Sequence, residues 1–241
     1  MKFNVHAGHN PDGKIACGAV GLIKESTQAR KVKNYVIKYL KKAGHTVYDC
    51  TCNNGTSQSD VLNKIVAKCN AHTVDLDISI HFNSGAGDQK GNGKTTGAEV
   101  LVYALNKEPK DVASGVVKEI AKLGIKNRGV KAKPELRVLN STKSLAMLIE
   151  CCFVDDADDV KIYKAKKMAQ AITVGILNSY GVSKYKTTRK VNAFNAKGKK
   201  IKTVKKEKNC NIDKVEFING CIMGHRKKAD DWIKLKYANL I

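Results

Sequence analysis

The sequence predicts an α/β protein: a mostly parallel, twisted sheet flanked by helices over residues 1–182, then a small all-β barrel over residues 183–241. Two observations carry the first part. Apolar residues switch between period two and period 3.6 along the first 180 residues, so strands alternate with helices. Parallel neighbouring strands need such crossover helices between them. The third observation concerns the tail, where short apolar runs are punctuated by turn residues at close spacing. A length of 241 residues suits one or two domains.

Residues 2–5 form a short strand running into the loop His6-Ala7-Gly8-His9-Asn10-Pro11. In residues 26–42 the apolar positions Val32, Tyr35, Val36, Tyr39 and Leu40 recur at three and four residues, a helix stopped by Gly44. Residues 46–50 are strand. Residues 57–71 carry Val61, Ile65, Val66 and Cys69 at helical spacing, with Ser57 or Ser59 as N-cap. Leu76-Asp77-Ile78-Ser79-Ile80-His81 alternates strictly and reads as a strand ending at His81. Residues 98–105 form a strand, 112–123 a helix, 136–139 and 146–151 short strands, and 160–180 a last helix closed by Gly181. Residues 85–97 are a glycine-rich polar loop after a strand's carboxyl end, where open α/β sheets bind ligands, so the loop is expected to meet substrate. In the tail, residues 191–194, 201–204, 210–212, 215–217, 221–224 and 232–237 read as short strands, and Asn219-Gly220 is a hairpin signal.

Hydrophobic residues make up 42% and charged residues 27%, which excludes a wholly disordered chain. Lys and Arg number 44 against 22 Asp and Glu, a formal charge of +22. That excess predicts anionic partners: nucleic acid, a membrane surface or an anionic polymer such as a bacterial cell wall. It is uneven, with sixteen basic and five acidic residues from Tyr185 to Ile241 and 28 against 17 before them. No stretch approaches the ~20 apolar residues of a membrane-spanning helix. The opening Met1-Lys2-Phe3-Asn4 lacks a charged-then-apolar leader, which predicts synthesis in the cytoplasm and release by another route. Eight cysteines fit reduced thiols there, and none form a C-x-x-C pair of the kind that holds structural zinc. No internal repeat is visible, and no pattern sets an oligomeric state.

Four side chains gather at one edge of the predicted sheet. His9 follows the first strand, His81 and Glu150 end two others, and Glu25 opens a helix facing the same edge. Two imidazoles and one carboxylate make a catalytic zinc set, leaving the fourth tetrahedral position to water. A further carboxylate beside it can move a proton. Taken singly, each has an ordinary explanation: a strand-end histidine is commonly a satisfied surface or core residue, and Glu25 suits a helix dipole. Glu150 lies in an apolar strand, where a buried carboxylate needs a partner. His6 competes with His9, while His45, His72 and His225 lie in linkers and the tail.

Four segments sharpen this reading. Asn4-Val5-His6-Ala7-Gly8-His9 resembles the opening of the zinc-dependent N-acetylmuramoyl-L-alanine amidases, and Gly21-Leu22-Ile23-Lys24-Glu25 resembles their second ligand segment. Asp77-Ile78-Ser79-Ile80-His81-Phe82-Asn83 resembles the third, the most specific of the set. Leu148-Ile149-Glu150-Cys151-Cys152-Phe153 resembles the segment bearing their catalytic acid/base. The segment from Arg128-Gly129-Val130 to Leu139-Asn140-Ser141-Thr142-Lys143 resembles clostridial-type phage endolysins. The resemblance implies one zinc ion on His9, Glu25 and His81, with Glu150 as proton carrier. It places His6 outside the metal's ligands, beside substrate, with Asn83 also near substrate. It implies hydrolysis of the amide joining N-acetylmuramic acid to L-alanine, with peptidoglycan and anionic wall polymers as partners, and no specific nucleic acid. Asn10-Pro11 stands where relatives have Gly-Gly. Tyr185-Lys186-Thr187-Thr188 and the run from Asp231 to Tyr237 resemble a bacterial SH3-like cell-wall-binding domain, with Trp232 and Tyr237 as wall contacts. The rival readings are a basic nucleic-acid-binding protein, another zinc peptidase on wall peptides, and a bacterial autolysin or germination amidase.

Overall fold

The computed structural model describes residues 1–106, 108–181 and 183–241; Val182, at the predicted domain boundary, lies outside them. The first sheet contains β1 (Lys2–Ala7), β2 (Thr46–Asp49), β3 (Leu76–Asn83), β4 (Ala98–Val102), β5 (Asn127–Ala132) and β6 (Ala146–Phe153), in the order β2-β1-β3-β6-β4-β5. Its helices are α1 (Glu25–Lys42), α2 (Gln58–Asn70), α3 (Lys110–Ala121), α4 (Arg137–Asn140), α5 (Ala157–Ile162) and α6 (Ala165–Ser179).

The sheet is mixed rather than mostly parallel. Strands β2, β1, β3 and β6 run parallel, but β4 is antiparallel to β6, and β5 follows β4. The reason lies in residues 84–97, which contain no helix: without a crossover the chain re-enters the sheet in the opposite direction. Residues 136–139, expected as strand, form the turn of helix α4, because four apolar-rich residues carry no decisive period. Strand β5 has only Val130 and Ala132 as apolar members and left no pattern to read. The expected last helix is two, α5 and α6; Asp156 caps α5 by accepting from the Asp159 N–H at 2.8 Å. Ser57 caps α2 as expected, accepting from Asp60 N–H at 3.1 Å.

Alternation divides the strand side chains between two cores. Val5, Ile78, Ile80, Val100 and Ile149 face the layer of α1, α3 and α6. Leu101 and Leu148 pack with Val61, Ile65, Val138 and Leu139 of α2 and α4 on the other face. This second layer covers the sheet only in part, and the gap at the carboxyl ends of β1, β3 and β6 is the groove described below.

The tail forms a seven-stranded antiparallel sheet in the order β13-β7-β10-β11-β12-β8-β9. Its members are β7 (Ser183–Thr187), β8 (Val191–Phe194), β9 (Lys200–Val204), β10 (Asn209–Ile218), β11 (Cys221–Arg226), β12 (Asp231–Lys234) and β13 (Ala238–Leu240). All-β character is as expected, but the sheet is not a closed barrel: β9 and β13, at its ends, do not pair among the described residues. The two strands expected at 210–212 and 215–217 are one, β10, with its register shifted between Ile212 and Lys214. The hairpin turn uses positive φ at both Asn219 (50°) and Gly220 (73°), as a tight antiparallel turn demands.

The tail is docked on the larger unit. The Tyr185 hydroxyl donates to the Ala43 carbonyl at 2.8 Å. The Asn178 amide donates to the Val215 carbonyl at 3.1 Å and accepts from the Val215 N–H at 2.7 Å. Phe217 meets Tyr39 edge-on at 4.7 Å. These contacts lie at the C-terminal ends of α1 and α6. Both helices run back against their preceding strands, so the tail sits at the edge of the sheet away from the groove.

Candidate active site

The site is assembled by three strand ends and one helix start. His9 lies two residues beyond β1 with φ 63°, a left-handed conformation uncommon outside glycine. Glu25, the first residue of α1, is 4% exposed. Its Oε1 is 3.3 Å from His9 Nε2 and 2.9 Å from His81 Nδ1, and accepts from the Phe82 N–H at 3.2 Å. Its Oε2 accepts from the Ala19 N–H at 2.8 Å. Burial opposes this charge, but hydrogen bonds from His81 and His9, and their charges, hold the carboxyl well below the usual range. One donor atom from each of His9, Glu25 and His81 falls within 4.8 Å of the other two. Two glycines make the approach possible. A Cβ on Gly8 would fall inside the His81 ring, and one on Gly18 (φ 82°) would lie 2.5 Å from Glu25 Oε2.

Register places the remaining groups. Glu150 on β6 pairs with His81 on one side and with Glu99 of β4 on the other, so the three side chains form a row on one face. Glu150 Oε2 is buried and has no hydrogen-bond partner. Burial first, then the charges of Glu25 and Glu99, push its carboxyl up to about 8. Glu99 goes the other way. Arg128 Nε donates to it at 2.7 Å and Lys131 Nζ at 2.5 Å, and these cations overcome the cost of burial to keep it ionised. Neighbouring carboxylates driven apart in this manner mark acid/base sites.

His9, His81 and Glu150 line a groove of about 320 Å³. Its walls are apolar, with Val61, Leu62 and Ile65 from α2 on one side and Leu136 and Val138 on the other; Lys133 and Arg137 stand on its rim. His6 also lines it, 1% exposed. Burial, then repulsion from His81, lowers its imidazole to about 3, so it is neutral, with Nδ1 3.4 Å from Ser79 Oγ.

Residues 4–180 match the N-acetylmuramoyl-L-alanine amidase family. The chain belongs to it. An uncharacterised protein of Clostridium perfringens is 36% identical over 167 residues, covering 69% of this chain and 48% of the relative. The endolysin of Bacillus phage SPP1 is 32% identical over 178 residues, 70% of this chain and 60% of the relative. The chain thus spans about half to 60% of the length of these curated relatives. Among solved structures, the catalytic domain of the CD27L endolysin targeting Clostridia difficile superposes with a TM-score of 0.66 at 27% identity, over 74% of this chain and 97% of that one. An amidase from Nostoc punctiforme, AmiC2, shares the fold at 22% identity with a TM-score of 0.62.

The structure brings His9, His81 and Glu150 to one groove, sets Glu25 against both imidazoles, and keeps His6 in the groove lining, outside the three-donor cluster. Asn83 is directed elsewhere: its amide donates to Glu99 at 3.3 Å, and it does not line the groove. Trp232 is 6% exposed, its ring 5.0 Å from that of His225. Tyr237 remains half-exposed. The glycine-rich loop does not line the groove either. Asp155, Asp156, Asp158 and Asp159 accept from its N–H groups at Gly85, Gly87, Asn92, Gly93, Thr96 and Gly97.

Sequence reasoning missed Arg30. Its guanidinium donates to the carbonyls of His9 (3.0 Å), Cys52 (2.8 Å), Asn10 (3.3 Å) and Ser26 (3.2 Å), and to Asn53 Oδ1 (2.9 Å). It also missed the role of Asn10, fully buried, whose amide donates to Ile15 and Gly55 carbonyls and accepts from the Gly55 N–H. Together they clasp the loop that carries His9. The only signal available was Asn10-Pro11 standing in place of Gly-Gly.

Proposed function

We propose that the chain hydrolyses the amide between the lactyl group of N-acetylmuramic acid and the L-alanine of the stem peptide, with one zinc ion held by His9, Glu25 and His81. Two imidazole nitrogens and one carboxylate oxygen within 4.8 Å of one another suit zinc, which commonly takes three protein ligands and leaves a position open. When bound, the ion supplies Lewis acidity and lowers the pKa of water. Glu150 takes a proton from the attacking water and returns it to the departing alanine nitrogen. The observation carrying this reading is its buried Oε2, which lacks any partner in a groove beside the three-donor cluster. The apolar walls exclude water from the reacting amide, neutral His6 adds no competing charge, and Arg137 on the rim offers a cation to the carboxylates of the stem peptide, while Lys133 there is paired with Glu135 at 3.2 Å.

The role of a phage endolysin, rather than a bacterial autolysin, draws support from the SPP1 endolysin and the CD27L catalytic domain. Residues 1–182 form the catalytic unit and residues 183–241 an SH3-like wall-binding unit whose excess of eleven positive charges favours anionic wall polymers. The protein acts at the cell wall, and no helix among the described residues is long and apolar enough to cross a membrane. The test is product analysis of digested walls with zinc measured on the same sample. Intact stem peptides bearing new L-alanine amino termini, and one zinc per chain, are expected. Cleavage within the stem peptide instead would make the enzyme a zinc peptidase.

A further inference from the structure

The tail holds a recess of about 200 Å³ where the turn after β7 meets the end of β12. It is lined by Arg189, Lys190, Asn192, Phe194, Lys234 and Tyr237. The guanidinium of Arg189 lies 3.7 Å from the centre of the Tyr237 ring, and Lys236 Nζ lies 4.6 Å from the same ring. Lys234 Nζ is 5.5 Å from the centre of the Phe194 ring. Tyr237 is fixed to the turn, since its carbonyl accepts from Thr188 N–H at 3.0 Å and from Thr188 Oγ1 at 3.1 Å.

What distinguishes the recess is where the tail's acids are. All five are engaged elsewhere: Glu207 with Lys186, Glu216 with Lys214, Asp231 with Arg226 and Lys202, and Asp213 and Asp230 with His225. Among the described residues Arg189, Lys190, Lys234 and Lys236 form no ion pair. Three of these, Arg189, Lys190 and Lys234, therefore line a recess without a carboxylate, a costly arrangement that an anionic ligand relieves. A guanidinium lying over an aromatic ring can still turn N–H groups toward an oxyanion for bidentate contact. The faces of Phe194 and Tyr237, with the Asn192 amide, suit the carbon and hydroxyl groups of a polyol.

We propose that this recess binds a phosphodiester-linked polyol polymer of the bacterial wall, with Arg189 on the phosphate and Tyr237 and Phe194 on the polyol. This deepens the wall-binding reading of the tail and rests on it. Strand β8 and the end of β12 stand apart in the sheet from β10, which docks on the larger unit.

The test uses the full-length protein and a synthetic poly(glycerol phosphate) oligomer, titrated calorimetrically, beside single-stranded DNA with the same number of phosphates. Arg189→Gln should weaken oligomer binding by at least about tenfold, the loss of a charge-assisted bidentate contact, and lower the salt slope by about one. Lys200→Gln, an equal charge loss on exposed β9, should change it by less than about twofold, and hydrolysis of soluble wall fragments should be unchanged in both variants. Equal weakening by both variants would show unspecific attraction and overturn the site, and DNA binding as tight and as dependent on Arg189 would overturn the ligand. Sedimentation with purified walls separates the two levels. If Arg189→Gln still sediments like wild type, the recess is wrong while wall binding stands; if wild type itself stays in the supernatant, the wall-binding reading fails.

Discussion

Replacing Arg30 by Met removes every donor of the guanidinium while keeping most of the stem that packs along α1. The structure sets the size of the effect. Arg30 ties together three separate stretches, the His9 loop, the start of α1 and residues 52–53, through four carbonyls and one side-chain amide oxygen. A charge-assisted hydrogen bond contributes ~1.5–3 kcal/mol when shielded, and less where water can replace it. Arg30 is half-exposed, so the sum is put at about 2–4 kcal/mol, or a fall in Tm of roughly 5–12 °C for a chain of this size. The more specific consequence falls on His9, whose positive φ is held partly by the Arg30 contact to its carbonyl. Losing a residue that orients a metal ligand typically costs about 10–100-fold in metal affinity. Thermal and urea denaturation give the first quantity, and competition with a chromophoric chelator gives zinc affinity at a temperature where the variant is fully folded. A variant with Tm within about 2 °C of wild type and zinc affinity within about twofold would refute the clasp.

His81→Ala should abolish stoichiometric zinc binding, since two donors remain, whereas His6→Ala should leave metal content near one per chain; atomic absorption on dialysed protein decides between them. Glu150→Gln should keep zinc and fold but lose on the order of 10²–10⁴ in rate. The same variant carries a pH signature in the zinc-free protein. With its carboxyl raised to about 8 when folded, Glu150 binds a proton more tightly in the native state, so wild-type stability falls as pH rises from about 5 toward 8, by up to a few kcal/mol. The glutamine variant should lack this slope, and parallel stability curves would count against a buried, shifted carboxyl. Tyr185→Phe should cost ~1–2 kcal/mol by orphaning the Ala43 carbonyl, and its effect on the unfolding of both units, read as one transition or two, reports how firmly the tail is docked.

The chemistry-bearing residues were legible because strand alternation fixes which side chains share a face. His81 and Glu150 lie toward the carboxyl ends of strands that pair, and the structure sets them side by side. Glu99 was not legible, because it required knowing that β4 turns back antiparallel beside β6, a choice made by the helix-free loop before it and not by any period in β4 itself. Arg30 was invisible for a similar reason: its partners are backbone carbonyls of loops, which have no sequence signature. Trp232 is a different case: an aromatic residue in a basic tail resembles a ligand contact, yet large apolar area favours burial, and this side chain is only 6% exposed.

The loop at residues 85–97 has a composition usually taken to mean mobility. Here its glycines serve stiffness. Gly85, Gly87, Gly91, Gly93 and Gly97 all adopt positive φ, which turns successive N–H groups toward the carboxylates of Asp155, Asp158 and Asp159 and of the loop's own Asp88. Side chains at those positions would strain the backbone, and at Gly97 a Cβ would collide with the Lys126 carbonyl. The loop is therefore cast against the β6–α5 segment much as a peptide is held in an anion-lined mould. Its amides should exchange with solvent at rates closer to those of a helix than of an open coil.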